Sequence, residues 1–493
     1  MTGSRFAIRY IKQWRGGDEL SGAGANRMLV VGKLADADLM IRAARLSGIQ
    51  NIVAIVSDDP GEVGLSLHGV RIRGTIEDVA AVAAGSRATC LLILPPFNWP
   101  GQMTQIVSAC ADRGVACTFR TIPSMADLAA GHMKASVIRD VDIEDLLGRG
   151  PARFDRTELR QYLKGKKVMI TGAGGSIGAE LCRQICSYEP AAMVLFEASE
   201  FSLYNIEREL RSRSCNQTIH ACAGDIRHRE ELEAAIDRAD GVDVIYHAAA
   251  YKHVPLMETN VAACFRTNVL GTARLAQVAV QRKVERFVMI SSDKAVRPTS
   301  VMGVTKRLAE RILEDMPRTT TSFVSVRFGN VLGSSGSVVP LFKEQIAQGG
   351  PVTVTTPEVT RFFMTIPEAT DLVLLAGTMG RDGDIMVLDM GQPIKIVDLA
   401  RRMIELSGFV PDKDIKIEFT GLRPGEKGHE EVVTEDESVA RTAHDRIRVL
   451  RKTGTTSGAT RVDLGRVEAL VMRNAAAELR ALAKEYIPEN LLG

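Results

Sequence analysis

Apolar and polar positions switch between two periods along most of this chain: short apolar runs of strand length are followed by stretches in which apolar residues return every three or four positions. Residues 28–32 (MLVVG) read as a buried strand, 36–46 as an amphipathic helix and 51–57 as a second strand, a β-α-β opening. With further strands expected at 70–73, 89–94 and 115–120, residues 27 to about 121 predict a small parallel α/β domain. The pattern restarts at 167. Strand 167–171, helix 176–187, strand 193–197, helix 202–213 and strands at 242–247, 286–291 and 322–327 give the alternation of a doubly wound sheet. Beyond Gly329 the alternation loosens around Pro340, Pro351, Pro357, Pro367 and Pro393, as expected where substrate-binding elements are added to the carboxyl edge of a sheet. The expected organisation is an amino-terminal segment (1–26), a first α/β domain with its connector (27–160), a larger α/β domain with substrate elements (161–434) and a carboxyl-terminal extension (435–493).

Composition narrows the options. A length of 493 residues suits two cores, and 45% hydrophobic with 25% charged residues is ordinary for globular chains. The net charge of +2 gives no field that would make nucleic acid the main partner, but it leaves small anionic ligands open. Eight cysteines (Cys90, Cys110, Cys117, Cys182, Cys186, Cys215, Cys222 and Cys264) are scattered without a C-x-x-C pair, so reduced, buried thiols and no metal site are expected. No apolar run approaches the roughly 20 residues needed to span a bilayer, which predicts a cytoplasmic protein. Residues 4–14 (SRFAIRYIKQW) interleave Arg5, Arg9 and Lys12 with Phe6, Ile8, Tyr10 and Trp14. Such a mixture could lie against the inner face of a membrane, the alternative being a frayed surface segment.

The two α/β openings differ where it matters. After the first strand, Gly32-Lys33-Leu34-Ala35-Asp36 lacks the later glycines that let a pyrophosphate approach the backbone, and Asp36 and Asp38 would repel phosphate. The first domain is expected to have a dinucleotide-type fold without a working site, and a regulatory or architectural task. After the strand at 167–171, Thr171-Gly172-Ala173-Gly174-Gly175-Ser176-Ile177-Gly178 is a glycine-rich turn between strand and helix. Gly172 permits the tight turn, Gly175 lets backbone amides reach a pyrophosphate and Gly178 allows close helix packing, while Ser176 and Ile177 open the helix whose amino end attracts anions. Glu197 closes the next strand, where a carboxylate accepts from ribose hydroxyls and repels an extra ribose phosphate. This favours NAD over NADP, although Arg208 or Arg211 could still turn towards a phosphate. Asp225 with Ile226 could hold the adenine, the alternative for Asp225 being a helix cap.

The glycine turn, Asp225-Ile226, HAAAYKHVP (247–255), NVLGT (268–272), SSDKAVRPTSVMGVTKR (291–307), RFGNVLGSSGSVVPLF (327–342), TRFFMTIPEA (360–369) and GLRPGEK (421–427) occur in this order. Together they resemble the polysaccharide-biosynthesis 4,6-dehydratases acting on UDP-N-acetylglucosamine, which are extended short-chain dehydrogenase/reductase enzymes. The resemblance implies two Rossmann-like domains, the second carrying the catalytic site. Larger members of that family carry membrane helices ahead of both domains, and this chain resembles them from just past the last helix. Residues 4–14 would then be a juxtamembrane stretch. A homo-oligomer paired through catalytic-domain helices is also implied.

The implied reaction oxidises C4 of the sugar by hydride transfer to NAD, which acidifies C5, eliminates water across C5 and C6, and returns the hydride to C6. By resemblance Asp293 is the acid for the C6 hydroxyl and Lys294 the base for C5, so Asp293 is expected protonated with a raised pKa and Lys294 neutral with a lowered one. Unaided, the residues would read as a surface ion pair. Most short-chain dehydrogenases place Tyr four residues before the active-site Lys; here the spacing is Met302-x-x-x-Lys306. A thioether carries no proton, so Asp293 or a water held by Ser292 is expected to take the C4 hydroxyl proton, while Lys306 binds the nicotinamide ribose. The Met-containing branch implies retention at C5. The resemblance also makes Ala248 and Ala249 cofactor neighbours, and Lys252, Asn330, Ser334, Ser335, Arg361, Arg423 and Glu426 contacts of the UDP-sugar; structural salt bridges are the plainer reading of each Arg. His253 could border the sugar, though a lone His is more often structural. Where the family usually has an apolar residue after the lysine of the last motif, this chain has Gly428-His429, which leaves the geometry there open. The rival readings are a 4-epimerase or C5-inverting dehydratase, and an inactive nucleotide-sugar-binding regulator in which Met302 marks lost activity.

Overall fold

A computed structural model describes residues 27–46, 51–94, 100–122, 138–146, 156–213, 215, 217–317, 320–434, 437–451 and 461–489. The segment 4–14 lies outside them. Among the described residues no helix is long and apolar enough to cross a membrane. The protein is an α/β protein built from two compact units, the first comprising Met1–Gly150, Phe342–Val354 and Val397–Phe419, the second Pro151–Leu341, Thr355–Ile396 and Thr420–Gly493.

The first unit holds a sheet of β1 (Met28–Val31), β2 (Ile52–Ser57), β3 (Ser66–Leu67), β4 (Val70–Thr75), β5 (Cys90–Ile93), β6 (Thr118–Thr121) and β7 (Arg139–Asp140) in the order β3-β4-β2-β1-β5-β6-β7. β1 and β5 are buried along their whole length, so they read as continuous apolar runs, the mark of a parallel sheet covered on both faces. At the turn after β1 a Cβ on Gly32 would stand 2.9 Å from Cβ of Leu94. Gly32 is thus required by packing against Leu94, and Asp38 is engaged by Arg42 at 2.9 Å and by His68.

In the second unit β8 (Lys167–Thr171), β9 (Ala192–Glu197), β10 (Thr218–Ala223), β11 (Val244–His247), β12 (Arg286–Ile290) and β13 (Ser322–Arg327) form the doubly wound core. Short strands follow as β14 (Asn330–Val331), β15 (Val352–Val354), β16 (Thr360–Arg361) and β17 (Phe363–Met364), then β18 (Asp384–Leu388), β19 (Ile394–Lys395), β20 (Ile417–Phe419), β21 (Ser438–Arg441) and β22 (Ile447–Arg451); of these, β15 and β20 pair with each other and belong to the first unit. The large sheet has the order β10-β9-β8-β11-β12-β13-β18-β22-β21. It is parallel except at β22 and β21, which pair antiparallel and come from a stretch in which the sequence pattern shows no element. Val168, Met169 and Ile170 of β8 and Phe287, Val288 and Met289 of β12 are fully buried; each such side chain contributes about 1.5–3 kcal/mol.

The cysteines depart from expectation at one pair. Cys186 and Cys215 form a disulfide with Cα atoms 6.1 Å apart. They are separated by 29 residues, and it is the packing of helix Ser176–Cys186 against helix Glu200–Ser212 that returns the chain to the first cysteine, which spacing alone does not show. Cys90, Cys110, Cys117, Cys182, Cys222 and Cys264 are buried free thiols.

Candidate active site

β11 lies between β8 and β12 in parallel register, His247 standing opposite both Thr171 and Met289. The loops that leave β8 and β12 therefore emerge at one carboxyl edge, the place where open α/β sheets bind ligands. His247 is pinned below them, its ring nitrogens 2.7 Å from Oγ1 of Thr171 and 2.9 Å from Oγ1 of Thr272. Burial pulls its pKa to about 3, so the ring is neutral.

The glycine turn is constrained on three sides. Gly172 has φ +66°, and a Cβ there would stand 2.8 Å from the Ala249 nitrogen and 3.0 Å from the Ala248 carbonyl carbon. A Cβ on Gly178 would fall 1.9 Å from the Gly172 oxygen, and one on Gly174 would fall 2.4 Å from Cβ of Ser202. Gly175, the N-cap of helix Ser176–Cys186, is different: an added Cβ would meet only the Gly172 oxygen, at 3.3 Å. Packing thus demands three of the glycines, Gly174 among them, which sequence spacing passes over; at Gly175 the constraint is access to the helix amino end. Ser176 Oγ accepts from the Ser335 backbone N–H at 3.1 Å, and Ile177 packs against the core. These residues fit a bound dinucleotide: a glycine-rich turn leads into the amino end of an 11-residue helix.

Glu197 reaches back to that turn. Its two oxygens accept from the backbone N–H groups of Gly174 and Ser199, each at 3.0 Å, and a carboxylate retains lone pairs beyond those two bonds. Arg211 is held by Glu207 at 2.8 Å and Arg208 lies 5.4 Å over the Tyr204 ring, so both are occupied on their own helix. Asp225 is not a helix cap. The N-cap of the following helix is His228, and the Asp225 carboxylate accepts from Arg227 Nε at 2.9 Å. Against the opposing effect of burial, the Arg227 bonds hold its pKa below the usual value. Ile226 is buried, so close to Gly271 that a Cβ there would stand 2.8 Å from Ile226 Cδ1.

At the end of β12, Ser292, Asp293 and Lys294 meet. Ser292 Oγ donates to Asp293 Oδ1 at 2.8 Å and caps the short helix Asp293–Ala295. Asp293 is fully buried, with Oδ2 lacking a hydrogen-bond partner among the described residues. Lys294 Nζ donates to Asp293 Oδ1 at 2.9 Å and to Asn330 Oδ1 at 3.0 Å. The expected neutral lysine is corrected here: burial pushes the Lys294 pKa down, but Asp293 and Glu430 together drive it above the ordinary value, so in the free protein Lys294 is held as an ammonium in its pair with Asp293. Nor is it a surface pair, because the Asp293 side chain is 0% and that of Lys294 20% exposed.

Lys306 sits one helix away on Val301–Glu314, its Nζ donating to the Ile290 carbonyl at 2.8 Å. Burial pulls its pKa to about 8, partly countered by Glu310. Met302 is 2% exposed, inside an apolar cluster that includes Phe265, Val269 and Val301. One turn further along the same helix, Glu310 takes a paired hydrogen bond from buried Arg327, both contacts at 2.8 Å, and another from Ser291 at 2.6 Å.

The residues expected at the sugar nucleotide separate into groups. Asn330 joins Lys294; Ser335 joins Ser176; Ser334 is buried in the same loop. His253 closes on that loop, since a Cβ on Gly336 would stand 2.5 Å from its Cε1, while the neighbouring Lys252 is exposed. Arg361 is turned inward, with NH2 donating to the Lys427 carbonyl at 2.7 Å and NH1 to that of Gly428 at 3.1 Å. Arg423 and Glu426 pair with one another, Nε to Oε1 at 3.0 Å, on an exposed loop. Two residues without an assigned role in the sequence reading also belong here. Asn268 clasps the Tyr251 backbone on both sides, at 2.9 and 3.0 Å, and so fixes the loop after β11; a buried amide in the NVLGT motif was the available signal. Glu430 lies buried beside Lys294, directly after the Gly428-His429 departure from the family pattern.

Residues 168–452 match the model of a family described as polysaccharide biosynthesis protein. The chain is 41% identical to the Bacillus subtilis "Probable polysaccharide biosynthesis protein EpsC" over 86% of its own length and 71% of that protein. It is also 41% identical to the Staphylococcus aureus "Capsular polysaccharide biosynthesis protein CapD", over 85% and 70% respectively. The solved structure of Pen from Bacillus thuringiensis is similar to it with a TM-score of 0.55 and 32% identity, over 63% of this chain and 98% of that one.

Proposed function

Since the chain belongs to the polysaccharide biosynthesis protein family, of the extended short-chain dehydrogenase/reductase type, we propose that it is a nucleotide-sugar 4,6-dehydratase. It converts UDP-N-acetylglucosamine to the 4-keto-6-deoxy sugar nucleotide for glycan assembly. The observation that carries this reading is the buried Asp293–Lys294 pair, 2.9 Å apart, at the same sheet edge as the glycine turn. A simple 4-epimerase has no need of an acid and a base for C5 and C6.

The cofactor is NAD, held by Gly172, Gly175, Ser176 and Gly178 at the pyrophosphate, Glu197 at the adenosine ribose and Lys306 at the nicotinamide ribose. When bound, it accepts the C4 hydride and gives it back at C6. Asp293 takes the C4 hydroxyl proton and later delivers it to the C6 hydroxyl, which leaves as water. This dual task stands in for the missing tyrosine, and it falls to Oδ2 of Asp293, which has no hydrogen-bond partner among the described residues. Lys294 removes the C5 proton once C4 is a ketone and returns a proton to C5 when C6 has been reduced. Met302, buried among apolar side chains, takes no proton. Asn330 orients the Lys294 amine.

The test is to incubate the purified chain with NAD and UDP-N-acetylglucosamine and follow the proton NMR spectrum. A new C6 methyl doublet with loss of the C4 proton signal is expected, with C5 in the gluco configuration. Interconversion of C4 epimers without a methyl signal would replace this reading by an epimerase, and an unchanged substrate would leave a binding protein.

A further inference from the structure

The Lys294 amine has two carboxylates beside it, and the reaction above employs one. Glu430 approaches from the other side, Oε1 lying 3.7 Å from Lys294 Nζ. Its side chain is 3% exposed, and Oε2 has no hydrogen-bond partner among the described residues. A buried carboxylate oxygen without a donor is unfavourable unless a proton or a donor reaches it. The segment that carries Glu430 is fixed in place: Arg361 binds the carbonyls of Lys427 and Gly428, with its Nε 3.8 Å from Glu430 Oε1, and Thr360 N–H binds the Gly428 carbonyl at 3.1 Å. Lys427 is held at 2.7 Å by the Val296 carbonyl, and Glu431 pairs with Arg297 at 2.9 Å. The charged groups around the amine are therefore Asp293, Glu430 and Arg361, with Lys427, Glu431 and Arg297 behind them.

This arrangement meets a need that the mechanism leaves open. In the free protein Lys294 is an ammonium, and an ammonium cannot take a proton from C5. Asp293 cannot accept the surplus proton, because it must be a carboxylate when the C4 hydroxyl is oxidised. We propose that Glu430 is the positioning residue that relieves Lys294 of this proton and so makes it a base. An N–H bond of Lys294 breaks as an O–H bond forms on Glu430, and the ion pair becomes a neutral acid and a neutral amine without any redox change. Lys294 then takes the C5 proton and later returns it, and Glu430 gives its proton back when the product leaves. Entry of a sugar that excludes water from the pair favours the neutral form of both partners.

The inference rests on the reading of Lys294 as the C5 base, and the experiment separates the two. Wild type, Glu430→Gln and Glu430→Asp are compared with UDP-N-acetylglucosamine and NAD between about pH 6 and about pH 9. Glu430→Gln is expected to lose about a hundredfold in kcat with KM nearly unchanged, a loss that shrinks about tenfold for each unit of rising pH as solvent takes over deprotonation of Lys294. Reduced nicotinamide should accumulate in this variant, because C4 oxidation does not await Lys294. Glu430→Asp keeps a carboxylate at greater distance and should fall between the two, with a displaced acid limb. Wild-type rate and profile in either variant overturns the proposal, and Glu430→Asp decides it should Glu430→Gln fail to fold. A loss that is the same at every pH also overturns it, since that marks a structural role. If wild type itself produces no dehydrated sugar, it is the underlying functional reading that has failed.

Discussion

Lys294 Nζ and Asp293 Oδ1 share a hydrogen bond of 2.9 Å in a pocket that leaves Asp293 without solvent contact. The surplus proton of Lys294 does not leave across that bond, because Asp293 has to stay a carboxylate to receive the C4 hydroxyl proton. The proposed chemistry needs side chains whose charge can change when a sugar displaces water, and this pair sits where desolvation has the strongest hold. Replacing Lys294 with Met keeps the volume and removes the base. Exchange of the C5 proton with solvent should then fall by at least about a hundredfold while NAD binding persists; undiminished exchange in deuterated buffer would remove Lys294 from the base role.

The glycine turn makes a prediction that separates packing from binding. Gly178→Ala places a methyl 1.9 Å from a backbone oxygen and Gly174→Ala 2.4 Å from Cβ of Ser202, so both should destabilise the cofactor-free protein by about 1–3 kcal/mol. Gly175→Ala has only a 3.3 Å contact and should leave the cofactor-free melting temperature within a degree or so of wild type. Its NAD affinity should nonetheless fall at least tenfold. Differential scanning fluorimetry with and without NAD checks all three, and a Gly175→Ala protein with normal NAD affinity would contradict the assignment of the turn.

Lys306, with its pKa pulled to about 8, should lose its charge within the working range. If its ammonium holds the nicotinamide ribose, NAD affinity is full below that pH and weakens several-fold as pH rises from about 7 to about 9. For stability the sign is opposite. The folded pKa lies below the unfolded one, so the cost of burying the ammonium is carried below about pH 8 and is relieved as pH rises towards 10.5, where the unfolded chain also loses the proton. Calorimetric titration of NAD against wild type and Lys306→Met checks this; a pH-independent affinity in wild type would be inconsistent with it.

Glu310 gives the acid-side counterpart. Burial raises its pKa, but Arg327 outweighs that and holds it at about 2, against 4.5 in the unfolded chain. Its stabilising contribution is present above about pH 4.5 and lost as pH falls towards 2, because there the unfolded chain binds the proton first. Glu310→Gln leaves Arg327 a buried charge with less compensation and should cost about 3–5 kcal/mol at neutral pH. Urea melts at about pH 7 and about pH 4 should show the gap between the two proteins narrowing in acid.

Much of the fold was legible because apolar runs buried on both faces of a parallel sheet leave little ambiguity: the strands at 167–171 and 322–327 lie where the pattern puts them. The two strands β21 and β22 were not, since they pair antiparallel at the sheet edge and their exposed positions break the apolar run. The Cys186–Cys215 pairing is likewise a product of helix packing rather than spacing. At the site, the Ser292-Asp293-Lys294 cluster follows from a short loop at the end of one strand, whereas Glu430 reaches Lys294 from 136 residues further along the chain, a contact that only the tertiary arrangement creates. Charge state was the least readable property. The sign of the Lys294 shift depends on Glu430 and Asp293 acting together against burial, and no local pattern shows that sum.

The central claim is a hydride taken from C4 and given to C6 of the same sugar, and it is tested by supplying UDP-N-acetylglucosamine carrying deuterium at C4. The account predicts a product in which that deuterium resides in the C6 methyl group, in ordinary water and with cofactor far below substrate. Deuterium found at C4 of a recovered sugar, or released to solvent with no label at C6, would contradict it.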